Sequence, residues 1–401
     1  MPTGIGQLGV TMILPTAAAQ SLGTETAFEV LARANKLAGE GRSIINLGIG
    51  QPDFATPDNI VRAGQRALAE GKHGYTPGAG IPELREAVAR DLGRRHGAEV
   101  DPETVLITPG AKPVMFFAAL LMGEPGAEIM YPNPGFPIYE SVIRFSGATP
   151  VPIELHEASG FTFDPDQVLS QVNERTRLII LNSPANPTGG VYTREQVERL
   201  VEGLEQWPDV VILSDEIYSR ILYEGRQHMS WLNYPQLRDR LIVLDGWSKT
   251  YAMTGWRLGY GVFPPDLFPF AERLAINSYS CPNAATQYAA IEALDGSQGA
   301  VDVMTAAFDE RRKVIVEELS KVPGVSCVDP GGAFYAFPNI SGTGIDARTL
   351  QERLLEEAGV AVIAGTSFGH LGEGYLRFSY AASLEEIVEG VDRMRTLLAN
   401  S

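Results

Sequence analysis

Cysteine is scarce in this 401-residue chain: Cys281 and Cys327 are its only two. Two cysteines make no disulfide framework, and no set of metal ligands gathers around them in the sequence. They read as reduced, half-buried thiols of a cytoplasmic protein. Positive charge is also short. With 32 Lys and Arg against 49 Asp and Glu, the net charge is −17. That argues against nucleic acid or an anionic membrane as a partner, because phosphate-rich surfaces need a basic face. A local cationic pocket for a small anion remains compatible with it. No stretch approaches the roughly 20 apolar residues of a membrane helix. The first residues, MPTGIGQLGVTMILPTAAAQSLG, have no basic start, and Gly and Pro break their apolar runs. They read as an irregular arm that orders on a partner surface rather than as a signal peptide. Internal repeats, low-complexity tracts and long linkers are missing too.

What is present suits a folded protein with a full core: 44% of residues are hydrophobic and 20% charged. At roughly 100–200 residues per domain, the length suggests two or three domains, or one large and one small. The middle of the chain alternates strand and helix patterns. Strands are expected at Val105–Thr108, Glu128–Tyr131, Leu178–Leu181, Val210–Ser214, Leu241–Asp245 and Leu258–Val262. Helices are expected at Asn59–Glu70, Glu83–His96, Lys112–Met122, Arg194–Gln206 and Leu267–Ile276. Runs such as VVILS and LIVLD are apolar on every residue but the last, as in strands covered on both faces, so the pattern predicts an α/β fold with a largely parallel sheet. From about Cys281 onward helical patterns dominate, at Asn283–Leu294, Val301–Leu319, Arg348–Ala358 and Leu384–Ala399. Short strands at Ala333–Phe337 and Tyr375–Tyr380 make this a smaller α+β domain, with a boundary between Ser278 and Gly299.

Open α/β sheets bind ligands beyond the carboxyl ends of their strands, so the residues that follow each strand matter most. After Val105–Thr108 come Gly110, Ala111 and Lys112 at a helix start, where free N–H groups suit an anion. Many βα turns look like this. After Leu178–Leu181 comes NSPANPTGG, whose prolines stiffen the backbone around Asn186; an ordinary polar loop has the same composition. After Val210–Ser214 comes Asp215, costly to bury unless paired but also a reasonable helix N-cap. After Leu241–Asp245 come Ser248 and Lys249, with Arg257 eight residues beyond Lys249. A lysine among small and apolar neighbours can have a lowered pKa and act as a nucleophile, although a lone lysine ordinarily snorkels to solvent.

Together these segments resemble the class I aminotransferases of pyridoxal-phosphate (PLP) fold type I, the aspartate aminotransferase superfamily, with the closest likeness to bacterial aspartate aminotransferase-like enzymes. The matching text is INLGIGQPDF (45–54), HGYTPGAGIPELREAV (73–88), TPGAK (108–112), YPNPGFPIYES (131–141), NSPANPTGG (182–190), SDEIY (214–218), SKTYAMTGWRLGY (248–260), GAFYAFP (332–338) and LRFSYA (376–381). It runs in the family's order from about residue 22 to the end.

The resemblance implies a large domain with a mostly parallel seven-stranded sheet between helices and a smaller α+β domain. Residues 1–47 would form an arm and part of the small domain, 48–285 the large domain and 286–401 the rest of the small one. It implies that Lys249 carries PLP as a Schiff base and then moves protons. Asp215 would pair with the pyridinium nitrogen, and Asn186 and Tyr218 would bond the ring oxygen. Phe136 would stack on the ring. Gly110, Ala111, Lys112, Ser248 and Arg257 would surround the phosphate. Tyr75 matches a tyrosine that reaches the phosphate from a neighbouring subunit, which implies a homodimer. Arg377 matches the arginine that grips the substrate α-carboxylate, and Gly50 lies in the loop beside it. One position departs from the pattern: many relatives have Ser three residues before the lysine, and here it is Gly246. Lys112 also matches a lysine that lies near the distal carboxylate in some aspartate-using relatives, and LGTETAF (22–28) resembles the arm that closes over the substrate side chain.

The implied activity is transfer of the amino group of an L-amino acid, aspartate or a similar small one, to a 2-oxo acid such as 2-oxoglutarate. The same fold hosts C–S lyases, decarboxylases, cyclases and oxidases, and fold alone does not separate these. A non-catalytic PLP-binding regulator is a third alternative. The charge of −17 and the roughly 20 residues before the family match speak against it, since such regulators carry an added DNA-binding domain.

Overall fold

The apolar runs of the central chain are strands covered on both faces. In the computed structural model, which describes residues 14–400, β1 (Ile45–Asn46) precedes a set of seven: β2 (Val105–Thr108), β3 (Glu128–Asn133), β4 (Thr149–Glu154), β5 (Thr176–Asn182), β6 (Val211–Asp215), β7 (Leu241–Gly246) and β8 (Gly259–Val262). They form one sheet in the order β2-β8-β7-β6-β5-β3-β4. Neighbours are parallel except at β8, which runs against both β2 and β7. Successive residues feed opposite cores. Ile180, Leu213 and Ile242 enter one, while Ile179, Ile212 and Val243 enter the other. That is why these strands lack the polar alternation of a one-sided sheet. This is the mostly parallel seven-stranded α/β sheet that the resemblance implied.

The strand at Thr149–Glu154 was not expected. Pro150 and Pro152 obscure its pattern, and it is tolerated because β4 is the partly exposed edge strand, next to β3 alone. The helix expected at 194–206 opens on a Thr193–Gln196 capping box but stops at Gly203, where a 3-10 turn, Leu204–Gln206, takes over.

The remaining strands are β9 (Tyr335–Ala336), β10 (Val360–Ala361), β11 (Ile363–Ala364) and β12 (Leu376–Ser379). β11, β12 and β9 form a small antiparallel sheet, and β10 pairs in parallel with β1. Residues 45–46 therefore join the C-terminal part of the chain, beside the packed helices Gly299–Ser320 and Leu384–Ala399. The expected helix at 348–358 begins as an α-helix, Ala347–Arg353, and ends in a π-turn, Leu354–Ala358. Among the described residues, no helix is long and apolar enough to cross a membrane.

This topology gathers the site. β2, β5, β6 and β7 end at one edge of the large sheet. Because β8 is antiparallel, its entry residue Arg257 lies at that edge too.

Candidate active site

A cavity of about 460 Å³ opens at that edge, and Lys249, Asp215, Tyr218, Asn186, Arg377 and Gly50 are all on its wall. Ala111, Lys112, Phe136, Ser248 and Arg257 line it as well.

Gly110 sits where helix Lys112–Met122 begins, at φ +83°, and a Cβ there would lie 2.3 Å from Arg257 Nη2. Only glycine fits. A Cβ at Gly259 would lie 2.4 Å from the Ala111 nitrogen, so β8 packs directly on this turn. Arg257, itself at φ 55°, donates to the carbonyls of Thr254 (2.8 Å) and Pro109 (3.4 Å). The result is a helix N-terminus with an exposed guanidinium beside it, a geometry suited to a phosphate or another anion.

Lys249 belongs to the short helix Trp247–Thr250 that follows β7. Its Nζ donates to the Gly50 carbonyl at 2.6 Å and stands 6.0 Å from the Tyr218 ring centre. Removal from water, helped by the positive charge of Arg377, lowers its pKa to about 8. Asp215 ends β6, buried and 6% exposed. Its two side-chain hydrogen bonds come from neutral donors, the Tyr139 hydroxyl at 2.6 Å and the Ile217 N–H at 3.3 Å. Burial outweighs both and pushes the carboxyl up to about 6.

Arg377 is the opposite case, a buried cation 3% exposed on β12. Nη1 donates to Asn186 Oδ1 at 3.0 Å and Nη2 to the Gly48 carbonyl at 2.5 Å, while Nε has no partner among the described residues. The guanidinium lies 4.6 Å from the Tyr335 ring centre and 4.8 Å from that of Phe368. Burial lowers its pKa from the ordinary arginine value. Asn186 is fixed in turn, its N–H donating to Asn182 Oδ1 at 2.9 Å. Because Arg377 occupies its Oδ1, its NH2 is the group left for a ligand. Tyr218 and Tyr335 share a hydroxyl hydrogen bond of 2.7 Å. A Cβ at Gly50 would lie 2.4 Å from the Tyr335 oxygen, which explains glycine in that loop.

Tyr75 is not brought to the cavity of its own chain; its side chain is 94% exposed. Gly246 also has a structural reason. A Cβ there would lie 2.8 Å from the Gly259 Cα, so serine fits only if β8 shifts. Four residues around the cavity were not singled out from sequence: Tyr139, Tyr335, Phe368 and Glu25. Three lie inside segments already quoted for the resemblance, at YPNPGFPIYES, GAFYAFP and LGTETAF, but nothing in one sequence tells which tyrosine of such a segment turns inward.

The profile of the family "Aminotransferase class I and II" matches residues 42–394. The aspartate aminotransferase of Pyrococcus horikoshii is 41% identical over 92% of this chain and 93% of its own. The aromatic-amino-acid aminotransferase 2 of Thermococcus litoralis is 37% identical over 88% and 92%. The solved structure of the aspartate aminotransferase from Thermus thermophilus with maleate superposes with a TM-score of 0.91 at 35% identity, over 96% of this chain and 100% of that one. With this fold and these relatives, the chain belongs to the aminotransferase class I and II family and is an enzyme of it.

Proposed function

We propose that the chain is a PLP-dependent aminotransferase that transfers the amino group of an L-amino acid, with aspartate or a similar small one as the lead, to a 2-oxo acid such as 2-oxoglutarate in ping-pong order. One observation carries this reading. Two buried and oppositely charged groups, Asp215 and Arg377, line the cavity of Lys249, and neither has a charged partner among the described residues.

The donor set fits the cofactor. A buried carboxylate held only by neutral donors favours a cationic ring nitrogen. The glycine-lined turn, the N–H groups of Ala111 and Lys112, Ser248 and Arg257 suit a phosphate. Phe136 offers an uncharged ring face, and Asn186 and Tyr218 offer donors for the ring oxygen. When bound, PLP supplies an electron sink for the pair released at the substrate Cα.

The protein does the rest. Lys249 would hold the cofactor covalently, and its free amine is placed to take and return the proton at the substrate Cα. With a pKa of about 8, its neutral amine is accessible near physiological pH. Arg377 grips the α-carboxylate with its unpartnered Nε and its planar fork, and the Tyr335 and Phe368 rings keep water from it. Asp215 keeps its charge once a cation is opposite, because the partner offsets the burial that raises it now.

The division into 1–47, 48–285 and 286–401 belongs to this reading, supported by the pairing of 45–46 with 360–361. So do a cytoplasmic location and a homodimer in which the projecting Tyr75 reaches a neighbour's phosphate site. A donor panel with 2-oxoglutarate, pyruvate and oxaloacetate tests the function. Turnover that depends on the 2-oxo acid supports it. Release of ammonia, CO2 or peroxide without an acceptor overturns it in favour of another PLP reaction.

A further inference from the structure

An acid from the N-terminal arm holds a lysine of the cavity wall. Glu25 Oε1 and Lys112 Nζ form a close ion pair, and both side chains line the cavity. Glu25 is the more enclosed partner, with 16% of its side chain exposed against 47% for Lys112. It stands at the N-cap of helix Thr26–Gly39, where an acidic side chain ordinarily bonds the first-turn N–H groups. It makes no such bond, and its carboxylate is turned to Lys112 instead. The arm is also tied down nearby, Gly23 N donating to Ser141 Oγ at 2.9 Å.

The cations on the cavity wall are Lys112, Lys249, Arg257 and Arg377. On the proposed aminotransferase reading, on which this inference rests, Arg377 takes the α-carboxylate, Lys249 the cofactor and Arg257 the phosphate. Lys112 is then the one left for a second carboxylate on the substrate side chain, and Glu25 already occupies it. The cavity wall also carries the apolar side chains of Phe28, Ile49, Met115 and Phe368, and Lys112 Nζ lies 5.5 Å from the Phe136 ring centre.

We infer that Glu25 sets side-chain selectivity: a distal carboxylate binds by displacing Glu25 from Lys112, whereas a neutral side chain binds with the ion pair intact. The exchange keeps one carboxylate on Lys112 in both states. It lets one pocket take acidic and uncharged substrates in the two halves of a ping-pong cycle, and it handicaps the acidic ones by the cost of breaking the internal pair.

Succinate and butyrate test this directly, because both have four carbons and they differ only in the distal carboxylate. Their dissociation constants are measured on the holoenzyme by calorimetry. In Glu25→Gln, succinate should bind about fivefold more tightly, the upper range for a part-exposed ion pair, with butyrate unchanged. Adding Lys112→Met should abolish the gain. Glu25→Ala is the second variant and should behave as Glu25→Gln does. Unchanged or weaker succinate binding overturns the inference. An equal gain for butyrate overturns it too, since that would reflect a loosened arm. These are binding readouts, so an enzyme that transfers no amino group from any donor would sink the proposed function while leaving the Glu25 result legible.

Discussion

Arg377 Nη1 donates to Asn186 Oδ1 at 3.0 Å, and this bond ties β12 of the small sheet to the loop that follows β5 of the large one. On the proposed reading the guanidinium is thereby aimed before any substrate arrives. Pre-aiming matters because lysine cannot reproduce the planar fork. Arg377→Lys should therefore raise KM for the amino donor by about 30-fold or more, the range for truncating one side of a buried charge pair. Asn186→Ala should raise it less. Steady-state kinetics over a donor series checks both, and an unchanged KM in Arg377→Lys would remove the arginine from substrate binding.

Lys249 is predicted to behave as an amine well below the ordinary lysine range. Burial and the nearby Arg377 charge lower its pKa to about 8. The neutral fraction therefore rises as pH passes through about 8. The rate at which cofactor-free protein captures PLP, followed by visible absorbance, should climb over pH 7–9 and level off above. A climb centred near 10.5 would mean that Lys249 sits in water. Arg377→Leu removes the largest of the charges that lower it, beside those of Arg257 and Lys112, and should move the midpoint upward.

The hydroxyl of Tyr139 is one of the two donors to the Asp215 side chain. A hydrogen bond to a charged group is worth about 1.5–3 kcal/mol. Tyr139→Phe should thus lower kcat/KM by roughly tenfold to a hundredfold while the protein stays folded. Asp215→Ala should lower it further, by about 30-fold to several thousandfold, and loosen the cofactor. The ratio of the two losses measures how far Tyr139 acts through Asp215.

Much of this was legible beforehand, for reasons that differ by residue. The main strands could be read because burial on both faces leaves them apolar throughout, as at Ile212–Leu213 and Ile242–Val243. β4 could not, since Pro150 and Pro152 are permitted only by its edge position, which is a property of the sheet and not of the segment. Asn186 and Lys249 follow strands and Asp215 ends one, and strand ends meet at one edge, so reading the strands along the chain brings the three together. Arg377 comes from a different sheet, and its place at the cavity rested on family likeness until the fold supplied the Asn186 contact. Tyr139, Tyr335 and Glu25 were missed because their importance lies in partners at Asp215, Tyr218 and Lys112 that are distant in sequence.

Stability should fall on mild acidification because of a histidine away from the active site. Burial lowers His96 to about 4, against the pull of Glu216 and Asp91 and with the push of Arg95 and His228. Below pH 6.5 the unfolded chain binds a proton at this position that the native protein refuses until about pH 4. Stability is therefore lost as pH falls through that window, by up to about 3 kcal/mol. Glu216, which burial alone would raise, is held down at about 2 chiefly by His228. Its stabilisation is complete above the ordinary glutamate pKa and is lost only at lower pH. His96→Gln should flatten the fall in thermal midpoint between pH 7 and 5, and an undiminished fall would place its origin elsewhere.

On the proposed reading Lys249 carries the cofactor as a Schiff base. Borohydride reduction of the holoenzyme, followed by peptide mass spectrometry, should find the phosphopyridoxyl group on Lys249. In Lys249→Ala both that adduct and the visible absorbance of the bound cofactor should disappear. An adduct on another lysine of the native enzyme, or covalent trapping that survives in Lys249→Ala, would contradict the assignment.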